Sequence, residues 1–92
     1  MGAEQLVIHA YDPRWPREFE RLQQRALTVL GELAVAVEHV GSTAIPGLAG
    51  KPVIDLDIVV SSPEDVTVAF ARLATVDGLT AAHWLVARLV AR

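Results

Sequence analysis

The sequence predicts an α/β (α+β) fold in which a small mixed sheet of about three strands carries helices on one face. Three observations support this prediction. Apolar residues recur at alternating steps of four and three between positions 15 and 33, which is the period of an amphipathic helix. The segment 53–60, VIDLDIVV, is β-branched at most positions, as strands are. Ser62 and Pro63 provide the cap and first residue of a second helix.

The N-terminal third is predicted to contain a strand followed by the first helix. Residues 5–11 are β-prone and stop at the turn formers Asp12 and Pro13, so we expect a strand there. Gly31 is a position at which the helix is expected to loosen or end. The apolar stripe of this helix consists of Trp15, Phe19, Leu22, Ala26, Val29 or Leu30, and Leu33.

The middle of the chain is predicted to form two strands joined by a long connection. The valine-rich segment 34–40 is the first of these strands, and 53–60 is the second. The connection 41–52 contains three glycines and two prolines, and long loops in compact domains are frequently functional. Strands joined in this way are candidates for antiparallel neighbours.

The C-terminal third is predicted to be helical. The second helix is expected to run to about residue 76, and Asp77 and Gly78 then form a turn. Residues 80–92 are predicted to form a last apolar helix, with a strand as the alternative. The predicted inward-facing residues of the second helix are Val66, Ala69, Phe70 and Leu73.

Length and composition limit the classes of protein to which the chain can belong. The chain has 92 residues, so a single domain over 1–92 is expected. A formal charge of -3 argues against a dedicated nucleic-acid binder. The absence of cysteine excludes disulfides and thiolate metal sites. We see no signal peptide and no apolar run of about 20 residues, so a cytoplasmic protein without a membrane span is expected.

A sheet of three strands has exposed edges that can pair with another chain. The chain is also 52% hydrophobic. A homodimer or higher oligomer is therefore predicted.

Two acidic residues interrupt the apolar strand 53–60. Asp55 and Asp57 are two positions apart, so their side chains project from the same face of the strand. Two carboxylates so close repel each other unless a cation neutralises them, and oxygen ligands of this kind suit Mg²⁺. The alternative is a pair of hydrated acids, or acids paired with Lys51 or an arginine.

A candidate phosphate-binding turn precedes this strand. Gly41 allows the backbone to approach a ligand closely, and the hydroxyl groups of Ser42 and Thr43 can bind phosphate oxygens. Lys51 is a further candidate phosphate contact, with a solvated loop lysine as the alternative. Adjacent strands would bring these donors and the carboxylates of Asp55 and Asp57 to the same end of the sheet.

Residues 39–60 (HVGSTAIPGLAGKPVIDLDIVV) resemble the hallmark of the GrpB family, and residues 11–16 (YDPRWP) resemble its N-terminal segment. The resemblance covers roughly residues 6–60, and it implies that the chain is shorter than a complete family member, with a domain that is incomplete at its C-terminus. The family is related to polymerase-β-like nucleotidyltransferases, whose pattern is a hydrophobic residue with Gly-Ser, a spacer, and Asp-hydrophobic-Asp/Glu. The segments Val40-Gly41-Ser42 and Asp55-Leu56-Asp57 match that pattern.

The resemblance implies a nucleotidyltransferase-like fold and a nucleotide site. Ser42 would contact the phosphates of a nucleoside triphosphate, while Asp55 and Asp57 would be the catalytic residues that bind Mg²⁺. Active nucleotidyltransferases usually take a third carboxylate from a later strand. The later acids Glu64, Asp65 and Asp77 belong to a predicted helix start and a turn, so none is a convincing candidate.

Two classes of function follow. In the first, the protein is an enzyme that binds a nucleoside triphosphate with Mg²⁺ and transfers a nucleotidyl group to a hydroxyl acceptor. In the second, it is a catalytically inactive nucleotide-binding or scaffolding module. Some family members occur fused to dephospho-CoA kinase, so the resemblance implies such a kinase as a partner.

Overall fold

Three strands form one mixed sheet in the computed structural model, which describes residues 8–75 and 85–92. Strand β2 (Ile54–Val60) lies between β1 (Ala36–Val40) and β3 (Leu85–Ala91). β1 runs antiparallel to β2, as expected for the strands on either side of the long connection. β3 runs parallel to β2. The most apolar and β-branched segment of the chain is therefore the central strand, where both of its edges are paired.

Helix α1 (Trp15–Leu30) forms where the apolar stripe predicts it. Trp15, Leu22, Ala26 and Leu30 are buried, and Pro16 lies in the first turn, where a missing N–H group is tolerated. The helix ends before Gly31, which has a φ of 56°. Such a positive φ favours glycine and accounts for the end of the helix.

Helix α2 (Pro63–Leu73) begins at the predicted cap, because the Asp65 N–H group donates to the Ser62 hydroxyl at 3.4 Å. Ala69 and Leu73 are buried, which fits the prediction. The predicted burial of Phe70 is wrong, since 65% of this residue is exposed. The buried stripe of α2 is narrower than its apolar composition suggests, and Phe70 lies outside it.

One apolar core lies between the two helices and one face of the sheet. Alternate residues of β2 point into it, as the period of two of a strand requires. The opposite face of β2 carries Asp55 and Asp57. The predicted α/β fold with helices on one face is therefore confirmed. The buried core residues are Trp15, Leu22, Ala26, Leu30, Val37, Ile54, Leu56, Ile58, Val60, Ala69 and Leu73.

Two predicted elements differ from the structure. In the predicted strand 5–11, residues 5–7 lie outside the described residues, and the rest makes only an isolated bridge between His9 and Gly50. The predicted helix at 80–92 is wrong over Leu85–Ala91, where the alternative, a strand, is correct. A short apolar run fits both periods, and the free edge of β2 offers it a ladder of backbone hydrogen bonds. The predicted turn at 77–78 lies outside the described residues.

Neither helix in the described parts of the chain has the length and apolar character needed to cross a membrane.

Candidate functional site

The two acidic residues of β2 lie on the sheet face that the helices leave open. Asp55 is opposite Val40 of β1, and Asp57 is opposite Glu38. On the other side of β2, Asp57 is in register with Arg88 of β3. The predicted common face of the two carboxylates is present, but β3 brings an arginine beside one of them.

Arg88 holds both carboxylate oxygens of Asp57. Its Nε donates to Oδ1 and its Nη2 to Oδ2, each at 2.9 Å. Only 9% of the Asp57 side chain is exposed, compared with 68% of the Arg88 side chain. The hydrogen bonds from Arg88 lower the pKa of Asp57 below its ordinary value. Asp57 is therefore an ionised carboxylate that already has a cationic partner.

Asp55 has a different environment. It is half-buried, and burial raises the pKa of its carboxyl above the ordinary value, although His39 and Arg88 act in the opposite direction. Within residues 8–75 and 85–92, no group hydrogen-bonds to its carboxylate. Asp55 is thus the acid of the pair that is available to a ligand.

Gly41 places the turn after β1 directly against Asp55. Its φ of 77° and ψ of -173° lie in a region that only glycine adopts readily. A Cβ atom at this position would also collide with Oδ2 of Asp55. The glycine of the predicted phosphate-binding turn is therefore required by both the backbone and the neighbouring carboxylate.

Ser42 begins a short 3-10 turn, Ser42–Ala44, and its side chain faces a small cavity. A Cβ atom at Gly50 would collide with the Ser42 hydroxyl, so the absence of a side chain at Gly50 leaves room for it. The cavity has a volume of about 320 Å³ and is lined by Ser42, Lys51, Val53 and Asp55. The fold thus brings together three predicted site residues that are up to 13 positions apart in the sequence.

A second cavity adjoins the first at Asp55. It has a volume of about 330 Å³, and its charged lining residues are Asp55, Asp57 and Arg88. Val40, Gly41 and Leu56 complete its lining. Asp55 therefore lies between the predicted phosphate donors on one side and the Asp57–Arg88 pair on the other.

Thr43, in contrast, is only 1% exposed and lines neither cavity. Its hydroxyl donates to the Val53 carbonyl at 3.2 Å and lies 2.9 Å from Nε2 of His39. Because the hydroxyl has one proton, His39 is the donor in the second contact. The His39 ring stacks on Phe19 at a centroid distance of 4.6 Å, and burial lowers its pKa. Thr43 and His39 therefore connect the turn Ser42–Ala44 to Val53 and to helix α1.

The donor set suits Mg²⁺ better at Asp55 than at Asp57. Mg²⁺ takes one or two carboxylates and completes its coordination with phosphate oxygens and water. Asp55 can provide one such ligand. Asp57 keeps a lone pair on each oxygen, but the positive charge of Arg88 beside it reduces its attraction for a metal ion. In the described part of the chain, no group of three His, Cys, Asp or Glu side chains is arranged to hold a metal ion.

Arg88 is a residue of this site that the sequence analysis above does not predict. The signal was present in the ending ARLVAR, where Arg88 and Arg92 share one face if the segment is a strand. The preference for a helix over residues 80–92 concealed it. Lys51 lies in the loop in which it was predicted, and it is exposed at the cavity that Ser42 and Asp55 also line.

Comparison with known proteins identifies the family. The profile of the family described as GrpB protein matches residues 5–88. A UPF0157 protein of Halalkalibacterium halodurans is 54% identical over 62 residues, which are 67% of this chain and 32% of that protein. A dephospho-CoA kinase of Mycolicibacterium paratuberculosis is 48% identical over 54 residues, which are 55% of this chain and 13% of the kinase.

A solved structure agrees with these matches. The crystal structure of the conserved protein GrpB from Enterococcus faecalis superimposes with a TM-score of 0.69 and 35% sequence identity, over 75% of this chain and 42% of that one. The fold is therefore the nucleotidyltransferase-like fold of GrpB. The matched region spans about a third or less of the two relatives named above. Because its family profile covers most of the sequence, the chain belongs to the GrpB family.

Proposed function

We propose that this protein binds a nucleoside triphosphate together with Mg²⁺ at the end of β1 and β2, and that it does not transfer the nucleotidyl group. The observation that carries the proposal is the cavity of about 320 Å³ at which Ser42, Lys51 and Asp55 meet. It combines a hydroxyl donor, an ammonium group and a carboxylate that no described residue neutralises by a hydrogen bond.

Each of these three groups has a role in the proposed complex. The Ser42 hydroxyl and the Lys51 ammonium donate to phosphate oxygens, and the backbone at Gly41 can approach them closely. Asp55 would repel a phosphate bound in the same cavity unless a cation lies between them. Mg²⁺ supplies that positive charge, with Asp55 as its protein ligand and the phosphates as the remaining anionic ligands.

The state of Asp57 favours binding over catalysis. In two-metal phosphoryl and nucleotidyl transfer, several carboxylates hold the ions that stabilise the attacking and leaving oxygens. Here the second carboxylate is engaged by Arg88. The acids Glu64 and Asp65 lie at the start of α2, away from this sheet face, and Asp77 lies outside the described residues. The inactive nucleotide-binding class is therefore the one that the geometry supports better.

Calorimetric titration tests the proposal. ATP, GTP, CTP and UTP would be titrated into the protein with and without Mg²⁺, and the series repeated with Asp55→Asn/Asp57→Asn. We expect binding that is strengthened by Mg²⁺ and weakened by the double substitution. Binding that ignores both would contradict the Mg²⁺ site. Release of pyrophosphate with a hydroxyl acceptor would contradict the absence of transfer.

Two side chains allow a sharper test of the phosphate contacts. Ser42→Ala should weaken triphosphate binding by about 1.5–3 kcal/mol if the hydroxyl donates to a charged phosphate. Ser61→Ala, at an exposed serine beyond β2, is the matched control and should leave binding unchanged. Lys51 is the one lysine in the sequence, so labelling with an amine reagent can be followed at a single side chain by peptide mass analysis. Bound triphosphate should protect it.

A second candidate function rests on the relatives that are named dephospho-CoA kinase. Besides the protein of Mycolicibacterium paratuberculosis, the kinases of Mycobacterium bovis and Mycobacterium tuberculosis are 39% identical to this chain over 54 residues. We propose that the protein can act as a scaffolding module for such a kinase. Co-elution with a dephospho-CoA kinase, or a changed phosphorylation rate on addition of the protein, is expected. Neither effect at equimolar protein would contradict this candidate.

A further inference from the structure

The Asp57–Arg88 pair is built like a cation site in which a guanidinium takes the place of a metal ion. Both oxygens of Asp57 accept a hydrogen bond from Arg88, which leaves no oxygen of that carboxylate free of the arginine. The same cavity is lined by Asp55, whose carboxylate receives no such bond from the described residues. The cavity therefore contains two acids and one base.

The charges determine what this cavity attracts. With Arg88 in place, the three side chains carry a net charge of about -1 when both acids are ionised. Without it, two carboxylates at positions i and i+2 of one strand would face each other with a net charge of -2. A divalent cation gains much more from the second arrangement than from the first, because like charges so close favour any cation that separates them.

We propose that Arg88 is a resident counter-cation that competes with a divalent metal ion for Asp57, and thereby limits this chain to a cation bound through Asp55. Arg88 is in this sense a positioning residue that sets the cation dependence of the site. The inference rests on the proposed function, because it takes the carboxylate pair of β2 as the place where the cation binds.

The exposure of Arg88 makes it the mobile partner in such a competition. The Arg88 side chain is 68% exposed, so it can reach solvent without leaving a cavity in the core. Water screens the exposed guanidinium group, and ordering the long arginine side chain costs entropy, so both effects weaken its hold on Asp57. Asp57 belongs to the central strand and its side chain is 9% exposed, so its position is fixed. Arg88 is therefore the partner that can move away when a metal ion binds.

The chain offers a control arginine, Arg92, just beyond the end of the same strand. Arg92 makes an equivalent two-point pair with Glu38, at 2.9 and 3.2 Å, and 56% of its side chain is exposed. It lines neither of the two site cavities. Substituting Arg92 therefore removes the same charge and the same kind of ion pair while both hydrogen bonds from Arg88 to Asp57 remain. Arg92 acts on Asp57 only through its charge, and less strongly than Arg88.

Binding of Mn²⁺ to the protein alone, without nucleotide, tests the inference. Mn²⁺ prefers the same oxygen ligands as Mg²⁺ and can be followed by electron paramagnetic resonance. We expect Arg88→Gln to bind Mn²⁺ on the order of tenfold or more tightly than the wild type. A neighbouring opposite charge changes the proton affinity of a carboxylate by about this factor, and we expect a similar effect on its affinity for a metal cation. Arg92→Gln should gain much less affinity than Arg88→Gln, because it leaves the hydrogen bonds to Asp57 in place.

Arg88→Lys provides a variant that retains the charge if Arg88→Gln does not fold. It keeps a positive charge on the strand but loses the two-point contact, so its Mn²⁺ affinity should lie between those of the wild type and Arg88→Gln. The ¹⁵N spectrum of the arginine side chains gives a direct readout. Added Mg²⁺ should shift the Nε–H signal of Arg88 and leave that of Arg92 in place.

The outcomes separate this inference from the proposed function. If Arg88→Gln gains no Mn²⁺ affinity while Mg²⁺-dependent ATP binding still requires Asp55, Arg88 does not compete and only the inference is wrong. If Arg88→Gln gains Mn²⁺ affinity but no variant binds a triphosphate, the inference holds and the proposed function is wrong. An equal gain in Arg92→Gln would show a general charge effect and would also overturn the inference.

Discussion

Asp55 and Asp57 lie two residues apart on β2, yet the structure shifts their pKa values in opposite directions. Burial raises that of Asp55, whereas hydrogen bonds from Arg88 lower that of Asp57. A residue whose charge is favoured by the folded state contributes stability, and one whose charge is disfavoured reduces it. The same substitution, aspartate to asparagine, should therefore have opposite effects at the two positions.

Asp55→Asn should raise the melting temperature at neutral pH. An acid with a raised pKa binds more protons in the folded state than in the unfolded state, so stability falls as pH rises from about 3.8 to the raised value. Above that value the ionised carboxylate lowers stability by a constant amount, which the asparagine removes. Thermal melts across this pH range measure the effect. A lower melting temperature for the variant at neutral pH would contradict it.

Asp57→Asn should lower the melting temperature at neutral pH. The lowered pKa of Asp57 gives the folded state stability that is fully present above about pH 3.8 and is lost as pH falls through the lowered value. The variant also leaves Arg88 without its anionic partner. The difference between wild type and variant should therefore shrink in acid. A difference that is independent of pH would mean that the loss is one of packing alone.

Gly41→Ala should cost stability and also weaken the proposed binding of Mg²⁺ and triphosphate. The backbone at Gly41 is nearly restricted to glycine, and forcing another residue into such a region costs about 1–3 kcal/mol. The new methyl group would in addition displace Oδ2 of Asp55. Gly47→Ala is the control, since Gly47 has a φ of 82° but a methyl group there would meet no atom within 4 Å. It should lose stability and keep its binding, as denaturant unfolding and calorimetry can show.

At the scale of elements, the two helices differ in how much of their apolar surface the sheet covers. Leu30 of α1 is fully buried, while Phe70 of α2 is 65% exposed. Leu30→Ala should lower the free energy of unfolding by about 2–5 kcal/mol, which is a large part of the stability of a domain of this size. Phe70→Ala should change it by about 0.5 kcal/mol or less. Similar losses in urea unfolding would mean that Phe70 is covered in solution.

The strand β3 contains Arg88, a site residue that the predicted helix at 80–92 did not place beside Asp57. Residues 80–92 are apolar enough for either a buried helix or a strand, and no period distinguishes the two over so short a run. Once Leu85–Ala91 pairs with β2, Arg88 is in register with Asp57. The secondary structure of this segment determines the composition of the site. Arg88 and Asp57 are 31 residues apart in the sequence, and the pairing of β3 with β2 brings them together.

At the scale of the whole molecule, self-association stays a prediction. In the described residues β1 and β3 form the two sides of the sheet, and Ala87 on β3 is exposed. Light scattering at tens of micromolar should give a mass above that of one chain. Ala87→Lys should reduce it, because lysine on an edge strand opposes pairing. Ala71→Lys, on the exposed face of α2, is the control and should leave it unchanged. A clean monomer would contradict the prediction.

The sequence by itself determined most of the architecture. The helical period at 15–33, the cap at Ser62 and the β-branched run at 53–60 are local signals, and each leads to the right element because propensity and burial agree there. It also predicted Asp55, an acid that stands out in an apolar strand, and Ser42 and Lys51, which are phosphate-binding residue types in the connection before that strand. These residues meet at one cavity.

Only the tertiary structure decided which of the candidates are free to bind a ligand. The hydroxyl of Thr43 is directed into the domain, to His39 and Val53, and Asp57 is engaged by Arg88. Both results depend on contacts between distant parts of the chain, for which no local pattern exists. The physical reason is that side-chain chemistry follows from the residue type, whereas its availability follows from what packing and strand register place beside it.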